Sequence, residues 1–406
     1  MLSSLLLTGL SALLYVLFAG LLLNVLYLLV FAVAGHLPDR QLLRSELVGT
    51  ALRRMVVLMP AYRADAVIRE TAPVALRHAY TGPAEVCVVA DGLQPSTVQA
   101  LRADGARVVE VQFEKSTKGK ALRAALAALP PDAYDVAVVL DVDNEMGPGF
   151  LQQVDQAFAA GYRVVQGHRT AKNLDSPFAV LDACNEEINN HIFRLGHARL
   201  GMSSSLIGSG MAFDYTYLRH LLANIGETAG EDKEMDFSIL RDGAKIGYLP
   251  QAHVYDEKIA SAAVFGVQRT RWMAAQLEFL RKYAGESLWQ LARGNGEFFD
   301  KILQTALLPR MLLLGTLGLL LLLSLLLPAS CGPTPLGWAV LLLGTGLALL
   351  LALPKRLYSQ EVARAVLHLP LALATMVGAL LRLKQAKASF LPTPHAVRPG
   401  SASTSS

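Results

Sequence analysis

Residues 4 to about 34 carry no charged side chain and few polar ones. At about 1.5 Å per residue, such a helix outreaches the ~30 Å apolar layer of a bilayer. The run is too long for a signal-peptide core and lacks a small-residue cleavage site. It predicts a membrane-spanning helix over residues 1–36. Two further stretches, 311–327 and 336–353, are apolar enough to span, and a third, 365–381, holds His368 and Pro370. These ends lift the chain to 53% hydrophobic residues and a mean hydropathy of +0.37. Between them, about 50–285, the composition is that of an ordinary globular domain, long enough for one α/β unit with its own core.

Charges set the expected orientation. Arg40, Arg44, Arg53 and Arg54 follow the first apolar run, and Lys355, Arg356 and Arg364 follow the segment 336–353. The positive-inside rule then predicts a multi-pass protein of the cell (inner) membrane with its central domain in the cytoplasm. If 365–381 also crosses, Arg382, Lys384 and Lys387 end outside, against that rule. The stretch 286–310 mixes Trp289, Phe298 and Phe299 with charges and reads as an interfacial helix. The tail, 384–406, becomes Gly/Ser/Thr-rich from Pro399 and reads as disordered. The net charge of +4 is explained by topology, so no nucleic-acid partner is expected. Cys87, Cys184 and Cys331 have no metal-ligand spacing, which fits a reducing compartment.

In the central domain, short β-branched runs alternate with helical segments. Strands are expected at 55–59, 85–90, 107–111, 135–140, 162–167 and 245–249. Helices are expected at about 65–79, 97–103, 121–129, 149–160, 175–200, 230–240 and 268–283. This alternation predicts a mostly parallel sheet with right-handed crossovers. Val138-Val139-Leu140 runs straight into Asp141-Val142-Asp143, and Asn144, Gly147, Pro148 and Gly149 then force a turn. Two carboxylates thus end a buried strand, at the edge where open α/β sheets bind ligands. Oxygen donors there suit Mg²⁺ or Mn²⁺ and a bridged diphosphate; the plainer alternative is a solvated turn. Asp91-Gly92 ends a second strand at the same edge.

Other stretches also keep two readings. Gly208-Ser209-Gly210 suits close backbone approach to a ligand, or an ordinary tight turn. Glu231-Asp232 opens a helix, where acids are often caps. Gln268, Arg271 and Trp272 open another, where Trp and Arg also serve as interface anchors. Lys118 opens the helix before the D-x-D strand.

Taken in order, these motifs resemble the membrane-integrated family-2 glycosyltransferases, including bacterial cellulose, hyaluronan and poly-N-acetylglucosamine synthases. The likeness covers nearly the whole chain. It implies a GT-A nucleotide-diphospho-sugar transferase domain carried on transmembrane and interfacial helices. It implies that Pro60, Ala61, Tyr62, Asp91, Lys118, Asp141, Gln268 and Arg271 bind the nucleotide. It implies that Asp141 and Asp143 hold the metal, that Gly208, Ser209, Glu231 and Trp272 face the acceptor, and that Asp232 is the general base. Gly230 stands where Thr is usual before Glu-Asp. Phe390-Leu391-Pro392-Thr393-Pro394-His395 partly matches the family's gating loop, with Pro392 for Val and His395 for Lys. The donor expected is a UDP-sugar, UDP-glucose or UDP-N-acetylglucosamine, and the acceptor a glycan or lipid. A processive β-glycan synthase is the first expectation. Single-sugar transfer to a lipid acceptor is the alternative, because the spans are few. A dead scaffold or transporter would have lost motif residues, and none is lost; nor is an intramembrane charge pathway visible.

Overall fold

The computed structural model describes residues 2–38, 52–226, 230–258, 262–328 and 332–381. The gating-loop-like segment 390–395, the tail and the basic residues at 40, 44 and 382–387 lie outside these.

The chain enters through α1 (Leu2–Ala34) and reaches β1 (Met55–Tyr62), α2 (Asp65–Leu76), β2 (Ala84–Asp91), α3 (Pro95–Ala103) and β3 (Arg107–Val111). Then come α4 (Lys118–Ala128), β4 (Val136–Val139), β5 (Glu145–Met146), α5 (Phe150–Ala159) and β6 (Val164–Ala171). α6 (Pro177–Asn189) widens into a π-helical turn, Asn190–Gly196, before the short α7 (His197–Arg199). β7 (Met211–Asp214), α8 (Tyr215–Asn224), α9 (Glu231–Arg241) and β8 (Ile246–Asp256) complete the sheet region. The helices α10 (Ala262–Ala292), α11 (Gly296–Ala306), α12 (Arg310–Leu326), α13 (Pro335–Ala352), α14 (Gln360–Val366) and α15 (Leu369–Leu381) follow.

One eight-stranded sheet runs β3-β2-β1-β4-β7-β6-β8-β5. The β3-β2-β1-β4 half is parallel, as alternation of strand and helix requires. β7 is antiparallel to both of its neighbours, β6 and β8 are parallel, and β5 is antiparallel to β8. The sheet is mostly parallel, as expected, with antiparallel pairings where β7 and β5 join it. β7 and β5 lie outside the expected strands: β7 gains its strand geometry from β4 and β6, and β5 has only two residues, paired with β8. β1 shows why the sheet is buried on both faces. Val56 and Leu58 pack with Leu122 of α4, Leu218 of α8 and Ile239 of α9. Met55, Val57 and Met59 pack with Ile68 of α2 and Phe150 and Val154 of α5.

The C-terminal helices differ from expectation in their boundaries. Residues 286–310 are not one helix: α10 runs on to Ala292, and α11 starts after a break. α11 buries Phe298 and Ile302 against Phe237, Leu240, Phe279 and Tyr283, so that face packs on the sheet domain. α11 and α12 meet at a 59° bend. By length and composition, α1 and α13 could cross a membrane, and the bent α11–α12 pair would make a third span. The segment 365–381 divides at His368, and α15 spans 13 residues, about 20 Å of helix. α1, α12 and α13 share an apolar core of Leu21, Val25, Leu28, Phe31, Leu313, Leu317, Trp338 and Leu341. α1 is fixed to the domain by Tyr27, whose hydroxyl donates to Asp300 Oδ1 at 2.7 Å, and by Phe31 stacked on His197 at 3.6 Å. In the connection after α13, Arg356 hydrogen-bonds Thr170 Oγ1 at 2.8 Å and pairs with Glu187.

Candidate active site

The C-terminal ends of β1, β2 and β4 gather the first set of residues. Pro60, Ala61 and Tyr62 end β1 in register with Val89, Ala90 and Asp91 of β2. Arg63 follows with φ of 48°, the one non-glycine residue with positive φ among those described, a conformation that costs an L-residue about 1–2 kcal/mol. Its amide donates to the Asp91 carbonyl at 2.9 Å and its guanidinium lies 5.2 Å from the Tyr62 ring centre. The Asp91 carboxylate is buried; Oδ1 accepts from Phe113 N at 3.3 Å, and Oδ2 has no hydrogen-bond partner. A buried acceptor left open at a sheet edge is ready for a ligand N–H.

The D-x-D turn is held by groups from distant segments. Asp141 N donates to Ser209 Oγ at 2.9 Å, and that hydroxyl donates to Asn144 Oδ1. Ser209 is thus fully buried, its side chain committed to the turn rather than to the surface where an acceptor would lie. Asp141 pairs with Lys118, whose Nζ also donates to the Gly208 carbonyl. Asp143 is buried, and its proton is pushed up to about 7 by burial first and then by Asp256 and Asp141. Behind them lies a buried charge network. Arg169 pairs with Glu186 and lies 3.7 Å from Asp256 and 3.9 Å from Asp141. Lys258 pairs with Glu186 and, at 2.7 Å, with Asp256. Burial alone would raise the Asp256 carboxyl, but Arg169 and Lys258 overcome it and hold it below the usual range.

These residues fit a divalent cation in one way only. No group of three or more His, Cys, Asp or Glu side chains disposed to hold a metal is present among the described residues. Asp141 and Asp143 offer two carboxylates whose crowding a cation would relieve, and a Mg²⁺ or Mn²⁺ there would take its other oxygens from a diphosphate and water.

α9 brings the second set. Glu231 Oε1 accepts from Gly119 N at 3.2 Å, and the carboxylate also accepts from its own backbone N–H, so this acid serves the first turns of both α4 and its own helix. Gly119 lies close beneath Glu231: a Cβ there would stand 3.0 Å from Glu231 Cγ and could fit only if that side chain moved. The Glu231 carboxyl is raised, by burial and then by Asp232. Gly208 has φ of +84°, and a Cβ there would lie 3.8 Å from Asp232 Oδ2. The Gly208 backbone thus stands between Lys118 and Asp232. This joins the two sets: Gly208 accepts from Lys118 through its carbonyl and lies beside Asp232, while Glu231 meets α4 directly at Gly119.

α10 supplies the third set. Burial lowers the Arg271 guanidinium, with the Glu231 charge opposing. Gln268 Oε1 is buried with no hydrogen-bond partner. Trp272 is exposed, with the Arg269 guanidinium 4.3 Å from its ring centre; Arg269 itself pairs with Asp182. Sequence reasoning missed Arg169, Asp256, Lys258 and Asn144 as site residues. Asn144, adjoining the D-x-D, could have been found. The others reach the site only through strand pairing, β6 lying beside β8 with Ala171 opposite Asp256.

Residues 53–275, more than half of the chain, match the family model described as glycosyltransferase like family 2. The chain belongs to this family. The sheet domain of this glycosyltransferase, with its two families of core packing and ligand edge, is the α/β GT-A fold expected from its motifs. No curated protein sequence matches it significantly. Among solved structures, it is similar to the mannosyltransferase PcManGT from Pyrobaculum calidifontis, determined with GDP-Man and Mn²⁺. That match has 17% identity and a TM-score of 0.48, and covers 89% of this chain and 99% of the other. It is also similar to glucosyl-3-phosphoglycerate synthase from Mycobacterium tuberculosis, with 21% identity, 52% and 72% coverage and a TM-score of 0.33. S. aureus TarS matches with 17% identity, 53% and 38% coverage and a TM-score of 0.35.

Proposed function

We propose that this glycosyltransferase is a metal-dependent, inverting enzyme. It moves a sugar from a UDP-sugar, UDP-glucose or UDP-N-acetylglucosamine, to an acceptor presented at a membrane. The observation that carries the reading is the junction at Gly208, which brings the Lys118–Asp141 pair and the Glu231–Asp232 pair to one backbone segment. Inverting transfer needs these two functions side by side. One set must bind the leaving diphosphate, and a carboxylate must take the acceptor hydroxyl's proton as its oxygen attacks C1. Asp91, with its open Oδ2, and Tyr62 border the base. Lys118 and Arg271 face the phosphates. Asp232 takes the proton, and Trp272 offers an exposed aromatic face to the acceptor. A divalent cation at Asp141 and Asp143 would neutralise charge on the departing diphosphate.

The acceptor separates two versions. A growing polysaccharide, extended processively, is the version favoured by Gln268, Arg271 and Trp272 together. Single transfer to a lipid acceptor is favoured by the apolar packing of α1, α12 and α13, whose shared face is filled by Leu, Val, Phe and Trp side chains. We take the lipid-borne acceptor as the better fit to that packing. In either version the catalytic domain faces the cytoplasm of a multi-pass membrane protein. The test is to incubate the purified protein with each UDP-sugar and Mg²⁺ or Mn²⁺ in the presence of lipid or glycan acceptors, and to size the product. Lipid bearing one sugar supports the second version; long polymer supports the first. No transfer from any nucleotide sugar would refute both.

A further inference from the structure

α6 presents Asp182, Asn185 and Glu186 at the i, i+3 and i+4 spacing of neighbouring helical side chains. Each meets a cation. Asp182 pairs with Arg269, and Glu186 pairs with Arg169 and Lys258. Asn185 is neutral, and it meets Arg310, the first residue of α12. The Arg310 Nη2 donates to the side-chain and backbone oxygens of Asn185, the latter at 3.2 Å. Its Nη1 is buried and has no hydrogen-bond partner.

The charges that act on Arg310 are Arg269 and Arg194, both positive. Arg269 is committed to Asp182. Arg194 is buried and donates to Ser205 O at 3.0 Å and Asn190 Oδ1 at 3.1 Å. No carboxylate among the described residues answers Arg310. A guanidinium keeps its charge even when buried, and a buried charge without a counter-ion is strongly destabilising. Among the described residues, the buried Nη1 of Arg310 is thus left with room for an anion.

The place of Arg310 says what carries that anion. It lies at the 59° bend between α11 and α12, where the sheet domain meets the apolar helices, and it opens a 17-residue apolar helix. The N–H groups of that first turn favour negative charge. Beyond them the helix offers Leu side chains to an alkyl chain. On its other side, the Glu186–Arg169 pair leads to Asp141. We propose that Arg310, backed by Arg269 and Arg194, binds a phosphate-class anion carried by a membrane lipid, the phosphate that joins the lipid chain to the part of the acceptor whose hydroxyl is presented to Asp232. The proposal rests on the lipid-acceptor version given above.

The test measures binding without a donor sugar, on the full chain in nanodiscs. The probes are a single-chain alkyl monophosphate, its parent alcohol and inorganic phosphate, each read by tryptophan fluorescence, with UDP affinity as a folding control. The monophosphate is expected to bind at least about tenfold more tightly than the alcohol. Arg310→Gln should bring the two within about twofold of each other, Arg310→Lys should keep part of the difference, and UDP affinity should stay constant in both. Equal binding of monophosphate and alcohol to the wild type, or full discrimination in Arg310→Gln with UDP affinity intact, overturns the proposal. Inorganic phosphate binding as tightly as the alkyl phosphate would reassign the site to free phosphate and overturn the lipid source. Discrimination without sugar transfer to any lipid would refute the acceptor reading and leave the anion site standing.

Discussion

The Ser209 hydroxyl joins two turns that lie 68 residues apart: it accepts from the backbone of Asp141 at 2.9 Å and donates to Asn144. The geometry of the D-x-D is therefore set by the segment that leads into β7, the strand paired with β4. Ser209→Ala would leave the Asp141 amide and the Asn144 oxygen buried and unpaired, at about 1–3 kcal/mol. The expected outcome is lower thermal stability together with weaker UDP binding, of the order of ~10-fold. Titration calorimetry and a thermal melt on the same preparation check it. Unchanged UDP affinity would mean that the turn holds its shape without the serine.

In the proposed mechanism, Glu231 and Asp232 are neighbours in sequence with different work. Asp232→Asn should spare UDP-sugar binding and lower transfer by ~10²–10⁴, the usual loss for a general base. Glu231→Gln keeps an oxygen to accept from Gly119 N, so it should retain much more activity than Asp232→Asn. Single-turnover rates at saturating donor compare them, and the reverse ranking would exchange their roles.

Asp143 gives the proposed metal site a pH dependence. Its proton is held up to about 7 by burial, Asp256 and Asp141, well above its unfolded value. The folded state therefore binds more protons than the unfolded state between about pH 4 and 7, and the metal-free protein should lose stability as pH rises through that window. A cation must displace this proton, so Mn²⁺ affinity should fall as pH drops below about 7. Melts in EDTA and Mn²⁺ titrations followed by calorimetry test both signs. A metal affinity flat from pH 5 to 8, or undiminished turnover in excess EDTA, would count against metal at Asp141 and Asp143.

Trp272→Ala should spare UDP affinity and impair use of the acceptor, seen as a raised acceptor KM with some UDP released to water. As a mere anchor, Trp272 would instead lower expression and nucleotide binding together. UDP affinity and product analysis on one purified variant separate these outcomes.

The parallel half of the sheet was legible because β1, β2 and β4 are short apolar runs bounded by turn residues. Asp91, Asp141 and Asp143 were legible for the same reason, since each closes such a run. Glu231-Asp232 kept two readings in the sequence, and the structure shows why: Glu231 is a cap for its own helix and also for α4, which lies 112 residues away from it in the hydrogen bond to Gly119. β7 was hidden because its four residues follow a run of small side chains and gain their strand geometry only from β4 and β6. Arg169 and Asp256 were hidden because a counter-charge has no local signature; it is recognised by the charge it faces, and strand register decides that. Arg269 was overlooked between Gln268 and Arg271, although it is the i,i+3 neighbour of Trp272 and stacks on it.

Arg356 ties the connection after α13 to Thr170 and Glu187, and Thr170 follows Arg169 directly on β6. A helix that crosses a bilayer changes its tilt when the bilayer is thinner or thicker than its apolar length. On the proposed membrane reading, such a tilt of α13 would pull on an arginine bonded one residue away from the counter-charge of Asp141. Lipid chain length would then act as a dial on donor affinity, so that the same protein would hold UDP differently in thin and thick membranes.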